Sequence, residues 1–406
     1  MNSIYAKTIR GELCLLGVYV DDMVVSCPDS HVDLVRKELC TGEQSFPIEW
    51  NDYEPAKTVK GVTTQNIDLR FLGVHVIISR SGDISNVTFA QTDYAKSIVE
   101  VYEDKCKRKC RSAWTPSVKP DDKLAECDKP GKYQKICREI LGKLLFLERC
   151  SRIDIINAVT TLCGRVSKWT IADDKALDRL MDYVSHTTAM TLQWRIDAND
   201  KESLTASLLT DSDWATCKDT SRSVSSFDLT VVGPNTKATI MWGTRKQTFI
   251  ARSTAEAETG AHVEGLVRAL LPALLFIDSL NSYAQTHQLG YTLSWAPTAR
   301  CDNNAATCAL NSLLAGRLSL LAKSSRLNLH WARATLRRCR IKVTRIPTEL
   351  NCSDLGSKAL PQQVHWRLTY TLMTPCKQIH ESVSWLQGEQ ARSGWVPSGT
   401  ILGDVW

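Results

Sequence analysis

The chain contains no stretch of 18 or more apolar residues, so it offers no candidate for a membrane-spanning helix. Cysteines number 15, yet no two of them form a Cys-x-x-Cys pair, which argues against the common structural zinc frameworks. Cys106 and Cys110 flank three basic residues, but no second Cys/His pair follows at zinc-finger spacing. The N-terminus, Met1-Asn2-Ser3-Ile4-Tyr5-Ala6-Lys7, lacks the apolar core of a secretory signal. Scattered thiols without such a signal lead us to expect a reduced intracellular setting, cytoplasm or nucleus. A large charge of one sign is missing as well. Lys and Arg total 50 against 44 Asp and Glu, a net charge of +6 that is compatible with a nucleic-acid partner without requiring one.

What is present is ordinary for a folded protein: 43% hydrophobic and 23% charged residues over 406 positions, enough for two or three domains. Residues 1–110 alternate short strand-like runs with polar turns. Leu13 to Val25 reads as a hairpin, Asp68 to Ser79 and Ile84 to Ala90 as paired strands, and Thr92 to Tyr102 as a short helix. Residues 105–130 are charged and hold Pro116, Pro120 and Pro130, which suits a linker. Residues 132–195 carry apolar side chains at helical spacing, and 196–203 read as a polar joint.

Beyond Leu204 the pattern predicts a mixed sheet with helices on its faces. Three strands form an antiparallel meander, with Gly233-Pro234-Asn235 as the second turn. A long helix from about Ser253 to Asn281 follows, kinked at Pro272. Thr292 to Arg300, Asn304 to Leu314, Arg326 to Arg338 and Ile341 to Ile346 alternate strand, helix, helix, strand. From about Arg367 to Trp406 no motif is recognisable.

Four acidic residues in this second half lie in contexts suited to metal ligation. Asp211 and Asp302 end or follow apolar strand-like runs, and Glu258 and Asp354 lie in predicted helices. Carboxylates gathered from separate elements suit hard divalent cations, and two such ions can activate a water and stabilise the leaving oxygen of a phosphodiester. Asp213 competes with Asp211, and Asp302 doubles as a candidate helix cap. Glu256 and Glu258 point about 200° apart on a helix, so only one can face the metals.

The order of these segments resembles the ribonuclease H domain of copia-type retrotransposon polyproteins. The matching runs are Asp211-Ser-Asp-Trp-Ala215, Asp219 to Ser225, Arg245-Lys246-Gln247, Ser253 to Glu258, Cys301-Asp302-Asn303 and Asp354-Leu-Gly-Ser-Lys358. The first half agrees: Tyr19-Val20-Asp21-Asp22 resembles the reverse-transcriptase hairpin, and Phe71-Leu72-Gly73, Gln91-Thr92-Asp93-Tyr94, Thr115-Pro116, Leu141-Gly142-Lys143 and Arg152-Ile153-Asp154 follow in family order.

The resemblance implies an α/β (α+β) fold: a ribonuclease H-like mixed five-stranded sheet with flanking helices over 201–365. A truncated polymerase palm would occupy 1–110, a helical thumb or connection 111–200, and a tail of unknown role 366–406. It implies Asp211, Glu258, Asp302 and Asp354 as ligands of two Mg²⁺ ions, with Mn²⁺ as a substitute, and cleavage of the RNA strand of RNA–DNA hybrids. Of the two helix acids it favours Glu258. Arg222, Arg245 and Lys246 are candidates for phosphate contact. The 18 residues before Tyr19 contain no aspartate, so Asp21 and Asp22 are expected to be a polymerase-site remnant unless upstream Pol segments or a second chain complete it. The family histidine before the last strand is replaced in Ser325-Arg326-Leu327, and the usual tyrosine after Glu258 is Thr259. The competing expectation is a catalytically silent remnant that at most binds nucleic acid.

Overall fold

A computed structural model describes residues 4–41, 48–50, 56–59, 61–118, 129–217, 220–290, 292–312 and 323–375. The N-terminal strands β1 (Ile4–Ile9), β2 (Glu12–Tyr19) and β3 (Asp22–Ser26) form a separate antiparallel sheet, followed by helix α1 (Val32–Cys40). Strands β4 (Lys57–Val59), β5 (Val62–Phe71), β6 (Val74–Ser81) and β7 (Ile84–Ala90) make an antiparallel ladder. Its β5–β6 turn has Leu72 and Gly73 both at positive φ, the geometry of a two-residue hairpin that matches strand twist.

Helices α2 (Thr92–Cys106), α3 (Cys137–Cys150), α4 (Ile156–Cys163) and α5 (Ile171–His186) follow, and their apolar faces share one core with Tyr133, Trp169 and Leu209. Helical spacing was expected to continue to residue 195. Instead Met190–Asp197 is a strand, β8, which pairs antiparallel with β7. Its first three residues are buried and its middle is largely exposed, because pairing with β7 rather than a helical stripe decides what it covers.

The second half supplies β9 (Thr205–Asp213), β10 (Val224–Val232) and β11 (Lys237–Lys246), the expected meander. Strands β12 (Ala296–Cys301) and β13 (Val343–Arg345) add parallel to β9 in the order β13-β12-β9-β10-β11. These five strands do not stand alone. Lys237 of β11 bridges to Arg195 of β8, so the meander continues into the β8-β7-β6-β5-β4 ladder as an 11-stranded mixed sheet. The join is narrow: this one backbone pair, and the Trp194 Nε1 that donates to the Thr239 carbonyl at 2.8 Å, connect β8 to β11.

The predicted long helix is observed as α6 (Thr254–Gly265), a π-turn at Leu266–Leu270, and α7 (Leu271–Thr286). Pro272 lacks an N–H and its ring crowds the carbonyl four residues back, and the wider π-turn just before it absorbs both defects. Then come α8 (Asn304–Asn311), α9 (Lys323–Arg338) and the single-turn α10 (Asp354–Ser357). The chain beyond Arg367, where no motif is legible, still folds to Pro375: α11 (Gln362–Leu372) leads into β14 (Met373–Pro375), which pairs with β8. Residues 376–406 lie outside the described residues. No helix among the described residues is long and apolar enough to cross a membrane.

Both faces of β9 and β10 are covered. Ala206, Leu208, Phe227 and Leu229 pack with α6, α7, α8 and α9 in one core. Leu209 and, from the segment around α10 and α11, Ile346, Cys352, Leu355 and Trp366 belong to the core of α2 to α5. The two halves of the chain meet there in a buried polar network. Arg152 donates to both oxygens of Asp154 at 2.8 and 2.9 Å and to the carbonyl and hydroxyl of Thr187. The Tyr183 hydroxyl donates to Asp154 and meets His365 Nε2 of α11 at 2.9 Å. Removing one partner of such a pair leaves a buried uncompensated charge, at a cost of about 3–5 kcal/mol. Arg152→Met should therefore lower unfolding free energy in urea by that amount, while Arg152→Met with Asp154→Leu should lose less. Equal losses in both variants would contradict the network's role.

Candidate metal centre

The centre begins on β9. A strand alternates its side chains, so Leu208 enters one core and Leu209 the other, and Asp211 follows two residues before the strand's end, fully buried. Strand β12 runs parallel beside it, Cys301 opposite Thr210, and this register places Asp302 next to Asp211's end of the sheet. Asp302 does not cap α8. The helix starts at Asn304 as expected, and the residue directly before it, Asn303, is the cap, its Oδ1 accepting from Ala306 N at 3.0 Å. The Asp302 carboxylate is thereby left for the cluster.

Helix α6 divides the labour of its two glutamates. The Glu256 carboxylate accepts from Arg252 N at 2.9 Å and its own N–H donates to Ser253 Oγ at 3.3 Å, a reciprocal cap of the helix start. Glu258 turns instead toward the sheet end. Buried Gln247, at the end of β11, holds the helix there by donating from Nε2 to Ser225 Oγ and to the Ala257 carbonyl, both at 2.8 Å.

Helix α10 brings the fourth acid. Asn351 donates to the Thr210 carbonyl at 3.2 Å, tying the approach loop to β9 just before Asp211. Gly356 then lies against β10 and β11 so closely that a Cβ there would sit 2.1 Å from Ser226 Oγ and 2.3 Å from Thr244 Oγ1. Its carbonyl accepts from Thr244 Oγ1 at 3.0 Å and Asn157 Nδ2 at 3.2 Å. This contact sets Asp354, Ser357 and Lys358 around Asp211. Ser357 Oγ donates to Asp211 Oδ2, and Lys358 Nζ donates to Asp211 Oδ1 at 2.9 Å and Asp354 Oδ1 at 3.1 Å.

The four acids expected from the sequence thus converge. Asp211, Asp302 and Asp354 each offer an oxygen within 4.8 Å of the others, and Glu258, Cys301 and Asp302 form a second such group. Asp302 is common to both, so the arrangement can hold adjacent cations. Burial, followed by the charges of Asp211 and Asp302, pushes Glu258 up to about 9. Burial and Asp211 likewise push Asp354 up to about 8, against the pull of Lys358. Asp302 is raised by the same two causes. Burial pulls Lys358 down, but Asp211 and Asp354 reverse this and hold its ammonium charged. Burial also raises the Cys301 thiol, with Glu258 adding to the effect.

Other expected residues fall elsewhere. Arg222, Arg245 and Lys246 are exposed, and Lys246 lies in the same cross-strand row as Val224 and Asp213, at Asp211's end of the sheet. Lys246 Nζ also lies 3.0 Å from Cys217 Sγ. Asp213 is only half-buried on the same strand. Asp21 and Asp22 sit at the exposed tip of the β2–β3 hairpin, where Asp22 accepts from Leu72 N at 3.0 Å. Among the described residues no metal-ligating trio forms around them. Sequence reasoning missed the supporting residues Gln247, Asn351, Gly356 and Ser357. Gln247, Gly356 and Ser357 do stand in the runs that resemble the family, and the glycine also carried a physical signal, of close backbone approach.

No known family profile matches the chain, and no solved structure does. It is 31% identical over 191 residues to the uncharacterized mitochondrial protein AtMg00810 of Arabidopsis thaliana, covering 46% of this chain and 71% of that protein. It is 24% identical over 368 residues to the retrovirus-related Pol polyprotein from transposon TNT 1-94 of Nicotiana tabacum. That match covers 88% of this chain and 24% of the polyprotein. The chain belongs to the copia-type retrotransposon Pol family.

Two outcomes follow from the geometry. Glu258 and Asp354, together with Glu148 (raised to about 8 by burial) and Asp228 (raised to about 7 by burial), keep protons in the fold that the unfolded chain has lost. Buried His262 and His365, pushed down to about 4, act in the opposite sense only below their ordinary value near 6.5. From pH 6.5 to about 8.5 the folded chain therefore binds more protons than the unfolded one, and stability in EDTA falls as pH rises. The melting temperature should decline across this window, less steeply in Glu258→Gln, and Mg²⁺ should raise it more at the alkaline end. A flat or rising profile in EDTA would count against the assignment. Gly356→Val should displace α10 and weaken divalent-ion binding at least about tenfold, which calorimetry with Mn²⁺ would read.

Proposed function

We propose that the chain is a Pol-derived ribonuclease H that cuts the RNA strand of RNA–DNA hybrids with two Mg²⁺ ions held by Asp211, Glu258, Asp302 and Asp354. The carrying observation is the meeting of four carboxylates from β9, α6, the end of β12 and α10 at one end of the mixed sheet. The donor set fits: hard divalent ions take carboxylate oxygens, and Mn²⁺ tolerates the same ligands. The five-strand order and the copia-type relatives support the same reading.

When bound, the ions would supply the Lewis acidity that lowers the pKa of the attacking water and the charge that stabilises the leaving 3′ oxygen. The chain supplies position and charge. Asp211, on a strand buried on both faces, fixes the centre. Asp354 and Glu258 release protons as cations enter, so binding is tighter at higher pH. Lys358 offsets part of the repulsion beforehand, and an entering cation competes with it for Asp211 and Asp354 oxygens. In this reading the exposed Arg222, Arg245 and Lys246 would meet phosphates, and discrimination for RNA would rest on 2′-hydroxyl contacts and duplex shape. We assign no polymerase step to Asp21 and Asp22.

A labelled RNA–DNA hybrid incubated with the chain and Mg²⁺ should be cut in its RNA strand. Asp211→Asn or Glu258→Gln should reduce the rate by more than the roughly 10–100-fold typical of losing an outer-shell partner. Asp21→Asn with Asp22→Asn should leave it unchanged. Absence of cleavage by the folded parent in both Mg²⁺ and Mn²⁺ would sink the assignment.

A further inference from the structure

Between Asp302 and Glu349 the chain carries nine Lys or Arg residues and no Asp or Glu. The remaining sequence holds 41 basic and 44 acidic residues, so this one segment accounts for the sign of the net charge. Its C-terminal part follows the exposed end of α9, the connection after it, and β13. Arg337, Arg338, Arg340, Lys342 and Arg345 are all exposed, and none forms an ion pair among the described residues. The contrast with residues 105–109 is direct. There Lys105, Lys107, Arg108 and Lys109 are each paired with an acid: Glu139, Asp104, Asp182 and Glu103.

A favourable helix dipole explains cations in the last turn of α9, Arg337 and Arg338, but not Arg340, Lys342 or Arg345 beyond it. Like charges crowded without counter-charges are mildly destabilising. The tract also has a fixed relation to the acidic cluster. Arg345 lies opposite Cys301 in the β12–β13 ladder, and Ile346 N donates to the Cys301 carbonyl at 3.1 Å, one residue before Asp302. Trp331, on α9, is 41% exposed and adds an aromatic face of the kind that stacks on sugars or bases.

We propose that Arg337, Arg338, Arg340, Lys342 and Arg345 form a docking surface for the phosphate backbone of a nucleic-acid duplex that extends beyond the acidic cluster. The inference rests on the nuclease reading for which duplex is held, but not for the binding itself. A tract of unpaired cations releases condensed counterions from a polyanion, so binding through it is salt-dependent and sequence-independent.

The test measures binding of a labelled RNA–DNA hybrid to the full chain in EDTA, where no cleavage is required. Arg337→Glu/Arg338→Glu/Lys342→Glu is compared with a charge-matched control of exposed lysines elsewhere, Lys37→Glu/Lys135→Glu/Lys201→Glu. The tract variant should bind about tenfold or more weakly at 0.1 M salt, with a salt slope smaller by roughly 2–3 than the parent's. The control should stay near the parent. If the tract variant melts early, the neutral Lys342→Gln/Arg345→Gln should still reduce the slope by about 1–2. Parent-like affinity and slope in the tract variants, or losses matched by the control, overturns the proposal. So does loss of binding to phosphatidylserine vesicles while hybrid binding persists. A chain that binds through the tract yet never cuts RNA supports this surface and sinks the nuclease reading alone.

Discussion

Mutual repulsion among buried carboxylates is the constraint around which this molecule is arranged. Asp211, Glu258, Asp302 and Asp354 share one end of a sheet whose central strands are closed to solvent on both faces. In such surroundings charge–charge energies are several times those in water. The fold meets the repulsion in two ways. Glu258 and Asp354 retain protons well above the ordinary carboxylate range, and Lys358 places its ammonium between Asp211 and Asp354. Both devices leave a corner that gains when divalent cations take their place.

Holding the acids there requires close support. Gln247 pins α6, Asn351 pins the loop before α10, and Gly356 lets α10 sit directly on β10 and β11. The support reaches the helical half of the chain, since Asn157 of α4 donates to the Gly356 carbonyl. The Arg152–Asp154–Tyr183–His365 network then locks α11 against α5. The helical half of the chain therefore contributes packing to the acidic centre, whereas Asp21 and Asp22 lie apart from it on an exposed hairpin.

Much of this was legible in the residues. The four acids stand at strand ends and in helices, where period-2 and period-3.6 patterns can be read, and all four converge. Helix geometry allowed only one of Glu256 and Glu258 to face the cluster, the resemblance favoured Glu258, and the structure puts Glu256 at the helix start beside Ser253. What stayed hidden depended on contacts between distant segments. Met190–Asp197 alternates apolar and polar residues, a local strand signal that the helical reading passed over, but nothing in it announces that the strand bridges two ladders. The Asp302 cap expectation failed although the helix starts at Asn304 as expected, because Asn303, the residue directly before it, takes the cap. Arg152 and Asp154 read only as a run in family order, and their partners Tyr183 and His365 lie far along the chain. Residues 366–375 carry no motif because their role is to fill space and pair with β8.

The central claim is that these carboxylates form one site for two neighbouring cations. Electron paramagnetic resonance during a Mn²⁺ titration tests it most directly, because it counts bound ions and senses spin coupling between near neighbours. The account predicts two ions per chain with a coupled signal, and loss of the coupling in Asp302→Asn, the residue common to both ligand groups. No stoichiometric Mn²⁺ binding, or one uncoupled ion unaffected by that substitution, would contradict it.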